Sequence, residues 1–243
     1  YTLSYSLVIP CYNEGACLPA LIAQCREMLR QRDDLEVVFV NNGSIDHSGA
    51  VFADEIKVSD SPRLWVCDVA ENKGYGYGIL AGLNVANGQA IGWTHADMQT
   101  DPADFLTAIE IYEQNGRTAM FVKGSRQKRS WRDMFFTRGM TFFEYVLLGC
   151  WLEEINAQPN LFQRAFFESL GSPPNDFSLD LYFFFSAVQK GMPVHRFPVV
   201  FGTRQHGIGH NDTMRSKLRF CWSTIKYSTK LKLAMLASGR SSG

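Results

Sequence analysis

Short apolar runs alternate with helix-patterned stretches through the first half of this chain, and that alternation fixes its fold class. Ser6-Leu7-Val8-Ile9 reads as a strand ended by Pro10; Leu35–Val40, Leu64–Cys67, Ala90–Trp93 and Thr118–Val122 read as four more. Between them, Leu18, Leu21, Ile22, Cys25, Met28 and Leu29 recur at helical spacing, and Ser48–Glu55, Tyr75–Ala86 and Pro102–Gln114 also read as helices. Strands alternating with helices imply an α/β fold: a mostly parallel sheet, flanked by helices and joined by right-handed crossovers.

The second half is less regular. Met134–Trp151 reads as an aromatic helix interrupted by Arg138 and Glu144. Asn160–Gln163 reads as a short strand, Ser178–Gln189 as an aromatic helix carrying Asp180, and Val194–Phe201 as a strand. The glycine-rich loop Gly202–His210 follows, then a basic amphipathic helix over Thr213–Ala237. No linker is visible. The expected organisation is one α/β domain over residues 1–210, with a basic amphipathic helix and flexible tail over 211–243.

Chemistry concentrates where strands end. Ala90-Ile91-Gly92-Trp93 runs into Thr94-His95-Ala96-Asp97-Met98-Gln99-Thr100-Asp101-Pro102. In extended backbone Asp97 and Gln99 point to one side. Asp101 stands at a helix N-cap position, with Pro102 at the first helical position and Asp104 three past the cap. A carboxylate and an amide oxygen at the carboxyl end of a strand suit Mg²⁺ or Mn²⁺ holding phosphates. A plain β-α loop with a capping Asp accounts for the same residues. The other strand ends carry Pro10-Cys11-Tyr12-Asn13-Glu14, Asn41-Asn42-Gly43-Ser44-Ile45-Asp46 and Glu71-Asn72-Lys73-Gly74-Tyr75-Gly76. Each one alone also reads as a turn before a helix. Together they open on one sheet edge and describe a nucleoside diphosphate pocket.

Of 243 residues, 46% are apolar and 20% charged, so a sizeable core is available. The formal net charge is zero, and nothing global points to a nucleic-acid partner. The charge is uneven, however. Lys123–Arg138 holds six basic residues against Asp133, and Arg204 to the end holds eight against Asp212. Such runs are solvated faces, or bind phosphate or an anionic membrane. Six cysteines lie without C-x-x-C spacing and read as buried free thiols in a reducing, cytoplasmic compartment. No run reaches the ~18 apolar residues of a membrane span.

Val8-Ile9-Pro10-Cys11-Tyr12-Asn13-Glu14, Asn41–Asp46, Glu71–Gly74, Ala96–Pro102, Lys123-Gly124-Ser125-Arg126, and Arg204 with Gly207 together carry a resemblance. The chain resembles family 2 glycosyltransferases of the Rossmann-like GT-A fold, in particular the dolichyl-phosphate mannose synthase and polyprenyl-phosphate glycosyltransferase branch. The resemblance implies that Pro10, Tyr12, Glu14, Asn42, Ser44, Asp46 and Lys73 line the nucleoside side, and that Arg204 meets the diphosphate or the acceptor phosphate. It implies Asp97 and Gln99 as metal ligands, and Arg126 and Arg138 as the grip on a lipid phosphate. Three departures stand out: His95 in place of an acid, Asn41 and Asn42 in place of an acidic pair, and Gly209-His210 in place of Ser-Lys. His95, and His206 or His210, are further candidate ligands.

The expected activity is an inverting, metal-dependent transfer from a nucleotide diphosphate sugar to a polyprenyl phosphate. An ionised phosphate acceptor needs no strong base, whereas a saccharide hydroxyl, the alternative acceptor, needs one, and Asp180 is the candidate. A non-catalytic nucleotide-binding module is the alternative of another class. A nucleotidyltransferase is disfavoured because its glycine-rich first loop ending in Arg is absent. The aromatic helix and the basic helix are candidates for peripheral contact with the cytoplasmic face of a membrane, with core packing and a solvated surface as their plainer roles.

Overall fold

The computed structural model describes residues 3–56, 61–127, 131–202 and 222–233. The elements run β1 (Tyr5–Cys11), α1 (Leu18–Gln31), β2 (Leu35–Asn42), α2 (Ser48–Glu55), β3 (Leu64–Val69), α3 (Tyr75–Val85), β4 (Ala90–Trp93) and α4 (Asp104–Gln114). They continue with β5 (Phe121–Gln127), α5 (Trp131–Leu148), β6 (Asn160–Gln163), α6 (Arg164–Glu168), α7 (Leu179–Gln189) and β7 (Val194–Val200). A further helix, α8, covers 222–233.

The strands form one seven-stranded sheet in the order β3-β2-β1-β4-β6-β5-β7. Only β6 is antiparallel, to both β4 and β5. The α/β expectation therefore holds. The central strands are mostly apolar because both faces are covered; Ser6 and Glu36, buried side by side, bond each other at 2.7 Å. Leu7, Ile9, Val37 and Phe39 pack with α1, α2 and α4. Val8, Val38 and Val40 pack on the other face with α3, α6 and α7. The predicted face of α1 is the buried one, from Leu18 to Leu29.

The aromatic helix α5 starts and ends three residues earlier than expected, and three other boundary differences have a local cause. β1 continues through Pro10, which pairs with Val40. Thr94 N donates to Val8 O, so even-numbered β1 residues face β4, which has already ended when the chain reaches Pro10. The donor that proline lacks is not needed there. α4 begins at Asp104, not at Pro102: Asp101 Oδ1 accepts from Ala103 N at 2.9 Å and opens a turn first. β5 spans Phe121–Gln127 rather than Thr118–Val122, because Gly116 and Arg117, both at positive φ, still belong to the turn after α4. The motif Gly124-Ser125-Arg126 thus lies on a strand, paired with β7. The short helix α6 has no counterpart in the sequence reading.

The chain forms two compact units. The first joins residues 1–128 and 156–206; the second joins 129–155 and 207–243. The sheet lies wholly in the first.

Candidate functional site

The loops after β1 and β2 are stitched together. Asn13 N donates to Ser44 Oγ (3.1 Å), Ile45 N to Asn13 Oδ1 (2.9 Å), and Glu14 N to Ser48 Oγ (3.1 Å). Asp46 takes Gly15 N on one oxygen (3.1 Å) and Ser48 N on the other (2.9 Å). Burial alone would raise the Asp46 carboxyl, but the donors from Ser48 and Gly15 outweigh it and hold it below the usual range. Ser44 and Asp46 thus fix the wall on which Tyr12, 43% exposed, and Glu14 stand. Cys17 Sγ donates toward Glu14 Oε2 (3.2 Å) and Ala96 O (3.4 Å), tying this loop to the acidic one.

The next strand end supplies acceptors. Asn41 Nδ2 donates to Asp68 Oδ1 (2.9 Å) and Asn42 Nδ2 to Gly74 O (3.1 Å). Both Oδ1 atoms are buried and find no partner among the described residues. A buried unsatisfied acceptor is costly, so these two await a donor that the described chain does not supply. Gly74, at φ 119°, passes against the Asn175 carbonyl, which accepts from Tyr77 N at 3.0 Å. Lys73 lies with its ammonium 5.5 Å from the Tyr77 ring centroid.

After β4 the backbone is a turn rather than the expected extended strand. Met98 sits at φ 59°, and Asp97 Oδ1 accepts from Gln99 N at 3.1 Å. A polar side chain bonding two residues on is the turn-forming habit of Asp. Gln99 is anchored just past the end of β7: Gly202 N donates to Gln99 O at 2.8 Å, and Gln99 Nε2 donates to Gly202 O at 3.4 Å. The His95 ring lies 5.8 Å from that of Tyr75, tilted by 31°. Asp104, expected as an N-terminal capping partner, has its carboxyl pushed up to about 6 by burial and by Asp101. A carboxylate, an amide oxygen and an imidazole within five residues form a donor set suited to Mn²⁺ or Mg²⁺. Among the described residues no three His, Cys, Asp or Glu converge on a metal position. A cation held by this set would complete its coordination from outside these three residues.

On the far side of β4, Arg126 Nη2 donates to Asn156 O (2.6 Å), and its guanidinium lies 4.3 Å from the Phe201 ring centroid. Asp180 is 3% exposed; its Oδ1 accepts from Gln158 and Asn160, both at 3.4 Å. Gln158 also donates to Tyr75 Oη (2.6 Å), and Tyr75 stacks on Phe177 at 4.8 Å. Burial first, and the Asp180 charge next, hold the Tyr75 hydroxyl well above its ordinary range, so it stays protonated.

The sequence model of the family described as glycosyl transferase family 2 matches residues 6–182. The chain belongs to glycosyl transferase family 2. Within this family, the chain is 31% identical over 128 residues to the undecaprenyl-phosphate 4-deoxy-4-formamido-L-arabinose transferase of Pseudomonas syringae pv. syringae, covering 52% of this chain but only 38% of that relative's length. It is 24% identical over 216 residues to the polyprenol monophosphomannose synthase of Mycolicibacterium smegmatis, covering 83% and 78% of the two chains. Among solved structures, glucosyl-3-phosphoglycerate synthase of Mycobacterium tuberculosis, in complex with Mn²⁺, uridine diphosphate and glucosyl-3-phosphoglycerate, superposes with a TM-score of 0.70 at 15% identity, over 95% of this chain and 80% of that one. That likeness confirms the GT-A fold.

In this family 2 domain the structure brings Tyr12, Glu14, Ser44, Asp46, Asn42 and Lys73 to the carboxyl ends of β1, β2 and β3, and His95, Asp97 and Gln99 to that of β4. Lys123 departs from the expected anion-binding run: at 1% exposure it is core. Arg204, His206 and His210 lie outside the described residues, as does the side chain of Arg138. Sequence reading missed Tyr75, Gln158 and Asn160. A polar Asn and Gln beside the apolar Leu161-Phe162 pair was the available signal.

Proposed function

We propose that this chain is the catalytic domain of an inverting, metal-dependent glycosyltransferase that moves a sugar from a nucleotide diphosphate sugar to a polyprenyl phosphate. The observation that carries the reading is the clustering of the acidic loop with two stitched loops and two unpartnered buried amide oxygens on one sheet edge. Base N–H or ribose hydroxyl groups satisfy Asn41 and Asn42, and Tyr12 offers its ring to the base. Asp97 and Gln99, with His95 beside them, would hold Mn²⁺ or Mg²⁺, and the cation would supply charge neutralisation for the leaving diphosphate. An acceptor phosphate oxygen attacks the anomeric carbon opposite the diphosphate. The bond from that carbon to the diphosphate oxygen breaks and its electron pair leaves with the diphosphate. The attacking oxygen is already ionised, so no proton moves, and orientation by Arg126 supplies the catalysis. Relatives named for undecaprenyl-phosphate and polyprenol substrates support this acceptor.

Burial of Asp180 favours it too, since a base for a saccharide hydroxyl must reach its substrate. Work at the cytoplasmic face of a membrane fits the second unit, where Phe142, Tyr145 and Val146 form an exposed stripe on α5. Among the described residues no helix is long and apolar enough to cross a membrane.

Calorimetry with UDP and GDP, with and without Mn²⁺, tests the donor side. Metal-dependent binding is expected, abolished in Asp97→Ala and merely weakened in His95→Ala; metal-independent binding would favour a plain nucleotide-binding module. On the acceptor side, Arg126→Ala is expected to cut transfer to polyprenyl phosphate about 10²-fold. An Arg126→Ala enzyme of undiminished rate would remove that acceptor from consideration.

A further inference from the structure

Lys123, Asn160 and Asp180 meet inside the first unit, from β5, β6 and α7. Lys123 and Asn160 are register partners across the β5–β6 pair. The Lys123 ammonium donates to Asn160 Oδ1 at 3.1 Å and to Ala157 O at 2.6 Å. Asn160 Nδ2 in turn donates to Asp180 Oδ1 at 3.4 Å, and Gln158 Nε2 donates to the same oxygen at 3.4 Å. All three side chains are buried, at 1%, 1% and 3% exposure. The amide has one workable orientation. Reversed, it would set its NH₂ against the ammonium and its oxygen against the carboxylate. It therefore relays a cation to an anion that are both removed from water, where each needs the other as counter-charge. A second cation is near: Arg196, the β7 register partner of Lys123, lies 5.4 Å from the Phe184 ring, and Lys123 lies 5.6 Å from the same ring.

We propose that Lys123 is a positioning residue for Asp180: acting through the Asn160 amide, it supplies the buried counter-charge that holds the carboxylate in place and keeps the acceptor side of the site from turning negative. The same β5 strand carries Arg126 three residues on. With Asp180 balanced from beneath, the guanidinium of Arg126 sets the field that an anionic acceptor meets. Without Lys123, Asp180 opposes that acceptor. The pairing itself stands on geometry; its consequence for the acceptor rests on the glycosyltransferase reading above.

The test is a double-mutant cycle in thermal unfolding with Lys123→Met, Asp180→Asn and the two combined, in the full chain. Lys123→Met alone is expected to lower the midpoint by about 10 °C, as stranding one buried charge implies. In the Asp180→Asn background the same change costs less than half as much, because no carboxylate is left to balance. Should Lys123→Met alone not fold, the combined variant still does. Additive losses overturn the proposal. Arg196→Gln is the control and leaves the coupling intact. In the enzyme, Lys123→Met raises the KM for polyprenyl phosphate about tenfold with the Kd for nucleotide unchanged, a split that a general loss of packing does not produce. An unchanged acceptor KM also overturns it. Lack of Mn²⁺-dependent nucleotide binding by the wild-type chain would instead strike the glycosyltransferase reading, and the unfolding cycle would then judge the pairing alone.

Discussion

Gly92 shows how much one residue without a side chain decides. It stands in β4 opposite Leu161 of β6, and a Cβ there would run into the backbone carbonyl of Asn160. That carbonyl belongs to the residue whose amide bridges Lys123 and Asp180, so the closeness of β4 and β6 places the polar relay. Gly92→Ala is expected to cost about 1–3 kcal/mol by forcing the strands apart. Urea unfolding reads this directly, and a midpoint equal to wild type would show that β6 shifts without penalty. At this scale the sequence is least legible. A lysine in a basic run looks solvated; only the pairing with Asn160, 37 positions away, buries Lys123. The Asp97–Gln99 pair was placed correctly at a strand end, but the turn at Met98 follows from a side-chain bond that spacing does not encode.

Elements were easier to read, because periodicity reports burial on one face or on two. The buried stripe of α1, the bounds of α2, β4 and β6, and the doubly buried strands all follow from that rule. What escaped was pairing between distant elements, and α5 with α8 is a case in point. Glu144 on α5 is fully buried, with Oε1 2.8 Å from Ser228 Oγ of α8. Ser228 Oγ also lies 2.9 Å from Thr224 O. A hydroxyl has one proton; if it donates to Thr224 O, it accepts from Glu144, which must then carry its own proton. Burial agrees, pushing the Glu144 carboxyl up from 4.5 to about 7. A raised carboxyl means that the folded state binds the proton more tightly than the unfolded one. The contribution of Glu144 to stability is therefore full below about pH 4.5 and is lost as pH rises toward about 7, by about 1–3 kcal/mol in total. Glu144→Gln keeps the shape without the charge, and its unfolding free energy is expected to fall less than that of wild type from pH 5 to 8 and to exceed wild type at pH 8. A wild-type chain that gains stability over that interval would show that Glu144 is not the proton carrier.

The whole molecule has a formal net charge of zero, so long-range attraction cannot bring it to an anionic surface; any such attraction must be local. The second unit offers the local features. Phe142, Tyr145 and Val146 recur at helical spacing on α5 and are 62%, 47% and 68% exposed, with Trp151 packed edge-on against Tyr145 at 5.6 Å. On α8 the exposed Trp222 shares its helix with Lys226, Lys230 and Lys232. A water-soluble helix seldom spends three neighbouring surface positions on large apolar side chains. Aromatic rings with lysines nearby match the headgroup layer, where rings bury at the acyl boundary and ammonium groups meet lipid phosphates. The two contributions separate by salt. Charge attraction at the surface fades as ionic strength rises from about 0.1 M, where screening acts over about 10 Å, toward 1 M, while apolar insertion does not. The chain is therefore expected to co-sediment with vesicles containing anionic lipid at low salt and to retain a fraction at high salt. Replacing Phe142, Tyr145 and Val146 together by Ser should remove the salt-resistant fraction and leave the salt-sensitive one. Replacing Lys226 and Lys230 by Gln should do the reverse. If the serine variant binds vesicles at high salt as well as wild type does, the α5 stripe is not the membrane contact.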